Sequence, residues 1–180
     1  MKELTKIALA NSLKKMLSVK TLDNITVTDI AEDCDVNRQT FYYHFQDIYA
    51  LLDWIFVSET KNAIQAEVSY ANWAICLENV FAYMLENKNF FMNVYHSVSR
   101  EVIERYLYDI QNHYLDIVIS ELDQDKNLSL EDKRFMERFI AYAIVGTILE
   151  WIKNGMHTDY HLITKRIERI MSGDILKYMI

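Results

Sequence analysis

The chain has 180 residues, 51% of them hydrophobic, with no proline, three glycines, two cysteines and a formal net charge of −7. That length suits one or two compact units with a sizeable core, and the lack of any apolar run of about 18 residues excludes a helical membrane span. The acidic balance argues against a general nucleic-acid coat. The opening MKELTKIALANSLKK has neither a long apolar segment nor a small-residue cleavage site, so no secretory signal is read and a cytoplasmic protein is expected.

Strand-like alternation is absent, and Leu, Ile, Tyr, Met, Glu and Lys dominate, so the expected fold class is all-α with about nine helices. A first helix is predicted over 4–19. Thr26 is an N-cap with Asp29 three residues on, and Val27, Ile30 and Ala31 form the apolar face of a short helix. Asp35 marks the corner that follows, because Asp tolerates left-handed backbone better than most side chains. Val36 plugs that corner. Asn37 caps a second short helix over 38–44, with Phe41 and Phe45 four apart and facing inward.

The outer face of that second helix carries Arg38, Gln39, Thr40, Tyr42, Tyr43 and His44. Arg and Gln can read base edges in the major groove. Thr and Tyr hydroxyls, and amides at helix starts, bind phosphates. Two short helices in this arrangement have the layout of a helix-turn-helix unit. On spacing alone, a plain amphipathic helix with a solvated polar face fits as well.

Asp47 is expected to cap a fourth helix over 48–69, containing Leu51, Leu52, Ile55 and Phe56, and Asn72 a fifth over 73–87. A short sixth helix covers 90–95, and Ser99 opens a seventh over 100–122, with Val102, Ile103, Tyr106, Ile110, Tyr114, Ile117 and Val118 along one side. LDQDKNLS is a polar loop. An eighth helix over 130–153 stops at Asn154-Gly155, a left-handed C-cap, and a ninth is predicted over 158–178.

The stretch from Thr26 to Phe45 resembles the N-terminal DNA-binding domain of the TetR family of bacterial transcriptional regulators. The resemblance lies in Thr26-Val27, Asp29-Ile30-Ala31, Val36-Asn37-Arg38, Thr40-Phe41-Tyr42, Phe45 and Ala50-Leu51-Leu52, with Leu9, Leu13, Met16 and Leu17 matching the inward face of the first helix. RQTFYYHFQDIYALLDWIF is most similar to a subgroup that includes activators of dihydroxyacetone kinase operons. Three positions depart from the family pattern: Thr21 and Asp35 stand where glycines are usual. Ile48 stands where a phosphate-binding lysine is usual, which removes one expected DNA contact.

The resemblance implies a DNA-binding domain over residues 1–47 and a helical sensing and dimerisation domain over 48–180. The implied DNA-contacting set is Thr26, Thr28, Asn37, Arg38, Gln39, Thr40, Tyr42, Tyr43 and His44. It implies a ligand pocket inside the body, with Trp73, Tyr83, Tyr95, Tyr106 and His113 as candidate contacts, although dense Met and aromatic stripes are also what a plain core looks like. Phe139, Ala143, Gly146, Ile163, Ile167 and Ile170 are the expected homodimer contacts, unless those faces fill the chain's own core. A two-fold DNA site also calls for paired reading heads.

The partners so implied are double-stranded DNA, a second copy of the chain, and a small-molecule effector or a kinase-like partner protein. Residues 1–50 hold six Lys/Arg against seven Asp/Glu, so the head is near neutral while the body is acidic. Together with Asp35 and Ile48, this leaves open an alternative, a helical protein-interaction module with little DNA binding of its own.

Chemistry of other kinds finds little support. Cys34 and Cys76 are far apart with no metal spacing. His157 and His161 are four apart, but no HExxH pattern or third ligand accompanies them, so no metal is expected. No Gly-rich phosphate loop, GxSxG or CxxC occurs, so neither an enzyme nor a cofactor is expected.

Overall fold

The computed structural model describes residues 2–64, 66–97, 100–124 and 127–172. Among the described residues all regular structure is helical: α1 Lys2–Leu17, α2 Val27–Asp33, α3 Arg38–His44, α4 Ile48–Ile64, α5 Trp73–Glu86, α6 Lys88–Tyr95, α7 Arg100–Leu122, α8 Leu130–Lys153 and α9 Tyr160–Met171. A single 3-10 turn, Leu22–Asn24, lies between α1 and α2. The chain separates into two compact units, Met1–Thr60 with Asn87–Tyr106, and Lys61–Glu86 with Leu107–Ile180.

In the first unit α1 is the central piece. Leu9, Leu13 and Leu17 recur at helical spacing and are fully buried, and α1 packs on α2, α3 and α6. Ile30 and Phe41 close the same core from α2 and α3 without measurable exposure. On α4, Phe56 stacks on Tyr106 with ring centroids 4.4 Å apart and meets Phe90 and Phe91 of α6. The Tyr106 hydroxyl donates to the Phe56 carbonyl at 2.8 Å and also contacts the Thr60 hydroxyl, so its buried polar end is satisfied. Arg105 pairs with Asp53 at 3.1 Å.

The second unit is built on α5 against α9. Phe81, fully buried, meets Trp151 edge-on at 5.0 Å and lies parallel to Tyr160 at 6.4 Å. A smaller cluster gathers Ile64, Val68, Cys76 and Val118, with Trp73, Val80 and Tyr114 packed around it. Burial pushes the Cys76 thiol and the Tyr114 hydroxyl up in pKa. Another cluster joins Leu115, Ile119 and Ala141, where Lys133 bonds Asp116 and Ser120, both at 2.6 Å.

Two elements differ from the sequence reading for local reasons. α4 stops at Ile64 rather than 69. Beyond it Asn72, expected as the cap of α5, ties the preceding loop instead: it accepts from the Ser69 amide at 2.8 Å and donates to the Glu67 carbonyl at 2.9 Å. α9 begins at Tyr160 because Asp159 takes the cap position and accepts from the His161 amide. His157 therefore precedes the helix, and its four-residue spacing to His161 does not put the two rings on one helical face. The proposed start at Ser99, Val102 as a side chain and the end of α9 over 173–178 lie outside the described residues. The compact units also divide the chain differently from a boundary at 47/48. α6 packs on α1, and Lys14 on α1 reaches Glu59 on α4 at 2.8 Å.

Candidate nucleic-acid interface

The two short helices are set by their own caps. Thr26 and Asp29 form a capping box: the Asp29 amide donates to the Thr26 hydroxyl at 3.1 Å, and the Thr26 amide donates to Asp29 Oδ2 at 2.7 Å. These bonds, first from the Thr26 amide and then from its hydroxyl, hold the Asp29 carboxyl below its ordinary pKa. α2 ends in a left-handed residue, Asp35, at φ +53°. The Val36 amide bonds the Ala31 carbonyl at 3.0 Å and the Asp35 amide bonds Glu32 at 3.1 Å, the paired pattern of a Schellman corner. Asn37 then caps α3 by accepting from the Thr40 amide at 2.8 Å.

These caps decide which side chains are left to act. The Thr26 hydroxyl donates to Asp29 at 2.8 Å and the Thr40 hydroxyl to Asn37 at 3.0 Å, so Thr26, Asn37 and Thr40 first serve helix geometry. Arg38, Gln39, Tyr42 and Tyr43 are exposed, Tyr43 to 65%, and Thr28 and His44 are half-buried. The Arg38 guanidinium lies 6.0 Å from the centre of the Tyr42 ring. Phe41 stays inside, edge-on to Tyr42 at 5.7 Å, so one helix holds both the core anchor and the outward polar row.

The electrostatics favour neutral contacts. Lys15 is paired with Asp33 at 2.6 Å, which lowers the Asp33 pKa, and Lys14 with Glu59 at 2.8 Å. Both ammonium groups are thus partly neutralised within the protein. Ile48 opens α4 half-buried, and Asp47 accepts from the Ala50 amide at 2.8 Å. Beside it Tyr49 is 44% exposed, a phenol on the first turn of α4 that the sequence reading passed over. The available signal was an aromatic hydroxyl next to the missing lysine.

The other expected sites are distributed as follows. Tyr95 and Tyr106 are buried in the first unit, whereas Trp73 and Tyr83 are half-buried and His113 is exposed in the second. On α8, Phe139 is 66% exposed and stacks on Phe135 at 6.2 Å; Ala143 and Gly146 are exposed as well. A Cβ added at Gly146 would meet nothing within 4 Å. On α9, Ile170 is exposed and Ile167 half-buried, while Ile163 is buried in its own chain. Among the described residues no helix is long and apolar enough to cross a membrane.

Two capped helices joined by a left-handed corner, with an exposed Arg-Gln-Tyr-Tyr row on the second, define a helix-turn-helix DNA-binding regulator. Residues 14–55 match the model of "Bacterial regulatory proteins, tetR family", and residues 71–173 match "Transcriptional regulator C-terminal region". The chain belongs to the TetR family of bacterial transcriptional regulators. It is 29% identical over 154 residues to the HTH-type dhaKLM operon transcriptional activator DhaS of Lactococcus lactis subsp. lactis (strain IL1403), covering 84% of this chain and 81% of that protein.

A solved structure of the dihydroxyacetone kinase operon activator DhaS superposes with a TM-score of 0.73 at 25% identity, over 95% of this chain and 96% of that one. The fatty acid degradation regulator FadR from Bacillus halodurans shares the fold at TM-score 0.61 and 13% identity, over 92% and 93% of the two chains.

Proposed function

We propose that this regulator binds a palindromic operator as a homodimer, reading base edges with Arg38 and Gln39 and holding phosphates with the hydroxyls of Tyr42, Tyr43 and Tyr49. Thr26, Thr28, Asn37, Thr40 and His44 complete the contact face, partly by fixing the helix starts. The exposed row of α3 carries this reading, because those side chains project from a helix whose geometry is set by its own caps. Residues 1–47 act as the reading head and 48–180 as the sensing and pairing region. The exposed faces of α8 and α9, from Phe139, Ala143 and Gly146 to Ile167 and Ile170, make the pairing surface. Ile163, being buried, supports that surface from beneath.

The similarity to DhaS along most of the chain supports a cytoplasmic activator of a dihydroxyacetone kinase operon. A small-molecule effector or a kinase-like partner protein sets the response, with Trp73, Tyr83 and His113 as candidate contacts in the second unit and, separately, Tyr95 and Tyr106 in the first.

The test is selection from random DNA with purified protein, repeated with Arg38→Ala. A two-fold symmetric site is expected. Each lost base contact costs about 1–3 kcal/mol and the homodimer loses one in each half-site, so the variant should bind that site at least about tenfold more weakly, with an unchanged circular dichroism spectrum. Enrichment of no sequence by folded protein at low salt would refute the operator reading, and enrichment only with added metabolite or protein would assign the response to that addition.

A further inference from the structure

α8 has one covered side and one bare side. Ala141 and Trp151 lie on the covered side, against Leu115 and Ile119 of α7 and Phe81 of α5. Asp132, Phe135, Phe139, Tyr142, Gly146 and Lys153 follow one another at spacings of three, four or seven and are all exposed, so they share the opposite face. Phe135, Phe139 and Tyr142 are 62%, 66% and 60% exposed. Glycine inside a helix weakens it. The chain itself does not call for one at 146, where a Cβ would meet nothing within 4 Å. What glycine offers there is room for a close neighbour from outside the chain.

The bare face is patterned about its midpoint, between Tyr142 and Ala143. Counting outward from that point, Phe139 corresponds to Gly146, and Asp132 to Lys153. A bulky residue mirrors a missing side chain, and an acid mirrors a base. A face of this kind is complementary to itself when reversed. Two copies laid antiparallel about a two-fold axis through the midpoint set Phe139 against the partner's Gly146 and Asp132 beside the partner's Lys153, each contact occurring twice. Glu150, exposed on the same face, then falls beside the partner's Phe135. Laid parallel, the helices would put Phe139 on its own copy and leave a gap at Gly146. Asp132, Glu150 and Lys153 would each face a like charge.

We propose that α8 pairs with α8 of a second copy, antiparallel and crossing between Tyr142 and Ala143, with Phe139 seated over the partner's Gly146. This rests on the proposed homodimer and adds its direction and register. The occupant is a second copy because the complementarity lies within one sequence: both the size pattern and the charge pattern reverse about the same point. An unrelated partner gives no reason for that coincidence.

The experiment is sedimentation equilibrium of the full chain. Gly146→Phe fills the gap and should raise the dimer dissociation constant about tenfold or more. Phe139→Ala empties the other side of the same contact and should do likewise. The double variant, Phe139→Ala with Gly146→Phe, again sets a large residue against a small one. It should pair about tenfold more tightly than either single variant. Gly146→Ala favours the helix, so the expected loosening of about threefold cannot come from unfolding.

If the unsubstituted chain sediments as a monomer, the homodimer reading fails and this inference with it. If it is a dimer that Gly146→Phe and Gly146→Ala leave unchanged, α8 does not pair through this face, and this inference alone is overturned. A double variant that pairs more weakly than either single one overturns the antiparallel register.

Discussion

Two helices of this chain end in the same hydrogen-bonded corner, and the two corners are built from different residues. After α2 the left-handed position is Asp35; after α8 it is Gly155, at φ +71°. At the second corner the Met156 amide bonds the Trp151 carbonyl and the Gly155 amide bonds Ile152, both at 2.8 Å, repeating the pattern of Val36 with Ala31 and Asp35 with Glu32. The first corner leads directly into the Asn37 cap of α3. The second continues through another left-handed residue, Met156 at φ +54°, which is almost fully buried. The shared requirement is a positive φ rather than a glycine, and what offsets the strain differs: immediate recapping at one corner, burial at the other.

The largest expected effect lies where burial does that work. Trp151 supplies the carbonyl for Met156, donates its ring N–H to the Thr158 carbonyl at 2.8 Å and packs on Phe81. Trp151→Ala should cost about 3–5 kcal/mol in urea unfolding. Trp151→Phe keeps a ring against Phe81 and loses the hydrogen bond, so it should cost less. Equal costs for the two would mean that the N–H, not packing, holds the second corner.

Gly155→Ala comes next, at about 1 kcal/mol. A Cβ there would sit 2.9 Å from His157 Nε2, but that atom is the far end of an exposed side chain that can swing away. The backbone angle therefore dominates, and Gly155→Ala combined with His157→Ala should recover little. Large recovery would show a steric problem instead. Asp35→Gly tests the other corner with opposite sign. It should stabilise by about 0.5–1 kcal/mol, because glycine removes the left-handed penalty at a site already closed by its hydrogen bonds. DNA affinity should not change, and weaker binding would give the Asp35 carboxylate a role beyond the turn.

What could be read beforehand follows the range of the interactions. Thr26, Asp35, Asn37 and Asn154-Gly155 act on residues within five positions, and the helices they bound fall where the pattern places them. The paired α-hairpin of the head and the all-α class were legible for the same reason. Asn72 misled because its side chain bonds the loop behind it, at the Ser69 amide and the Glu67 carbonyl, and not the helix ahead. The ties Lys14–Glu59 and Asn93–Leu17 join residues 45 and 76 apart in sequence, beyond any periodic signal. Ile163 showed an apolar face without showing its partner, since periodicity assigns a side of a helix and not what covers it.

The smallest expected effect separates the corners by chemistry. Asp29 at the start of α2 has its pKa held down by the Thr26 amide and hydroxyl. A depressed carboxyl contributes stability that is present above its unfolded value, about 3.9, and lost as pH falls through the folded value. Asp33 beside Lys15 and Asp116 beside Lys133 are depressed too, so the acid response of the whole protein does not isolate Asp29. Asp29→Asn does: it keeps an acceptor for the Thr26 amide and removes the charge. The variant should be less stable at pH 6, and its difference from the unsubstituted protein should shrink as pH falls below the ordinary carboxylate value and through the lowered value at which the native carboxyl protonates. The Gly155→Ala deficit is backbone strain and should stay constant over the same range. A constant Asp29→Asn difference would mean that the capping box works through geometry alone, and that the two ends of the chain resist acid in the same way.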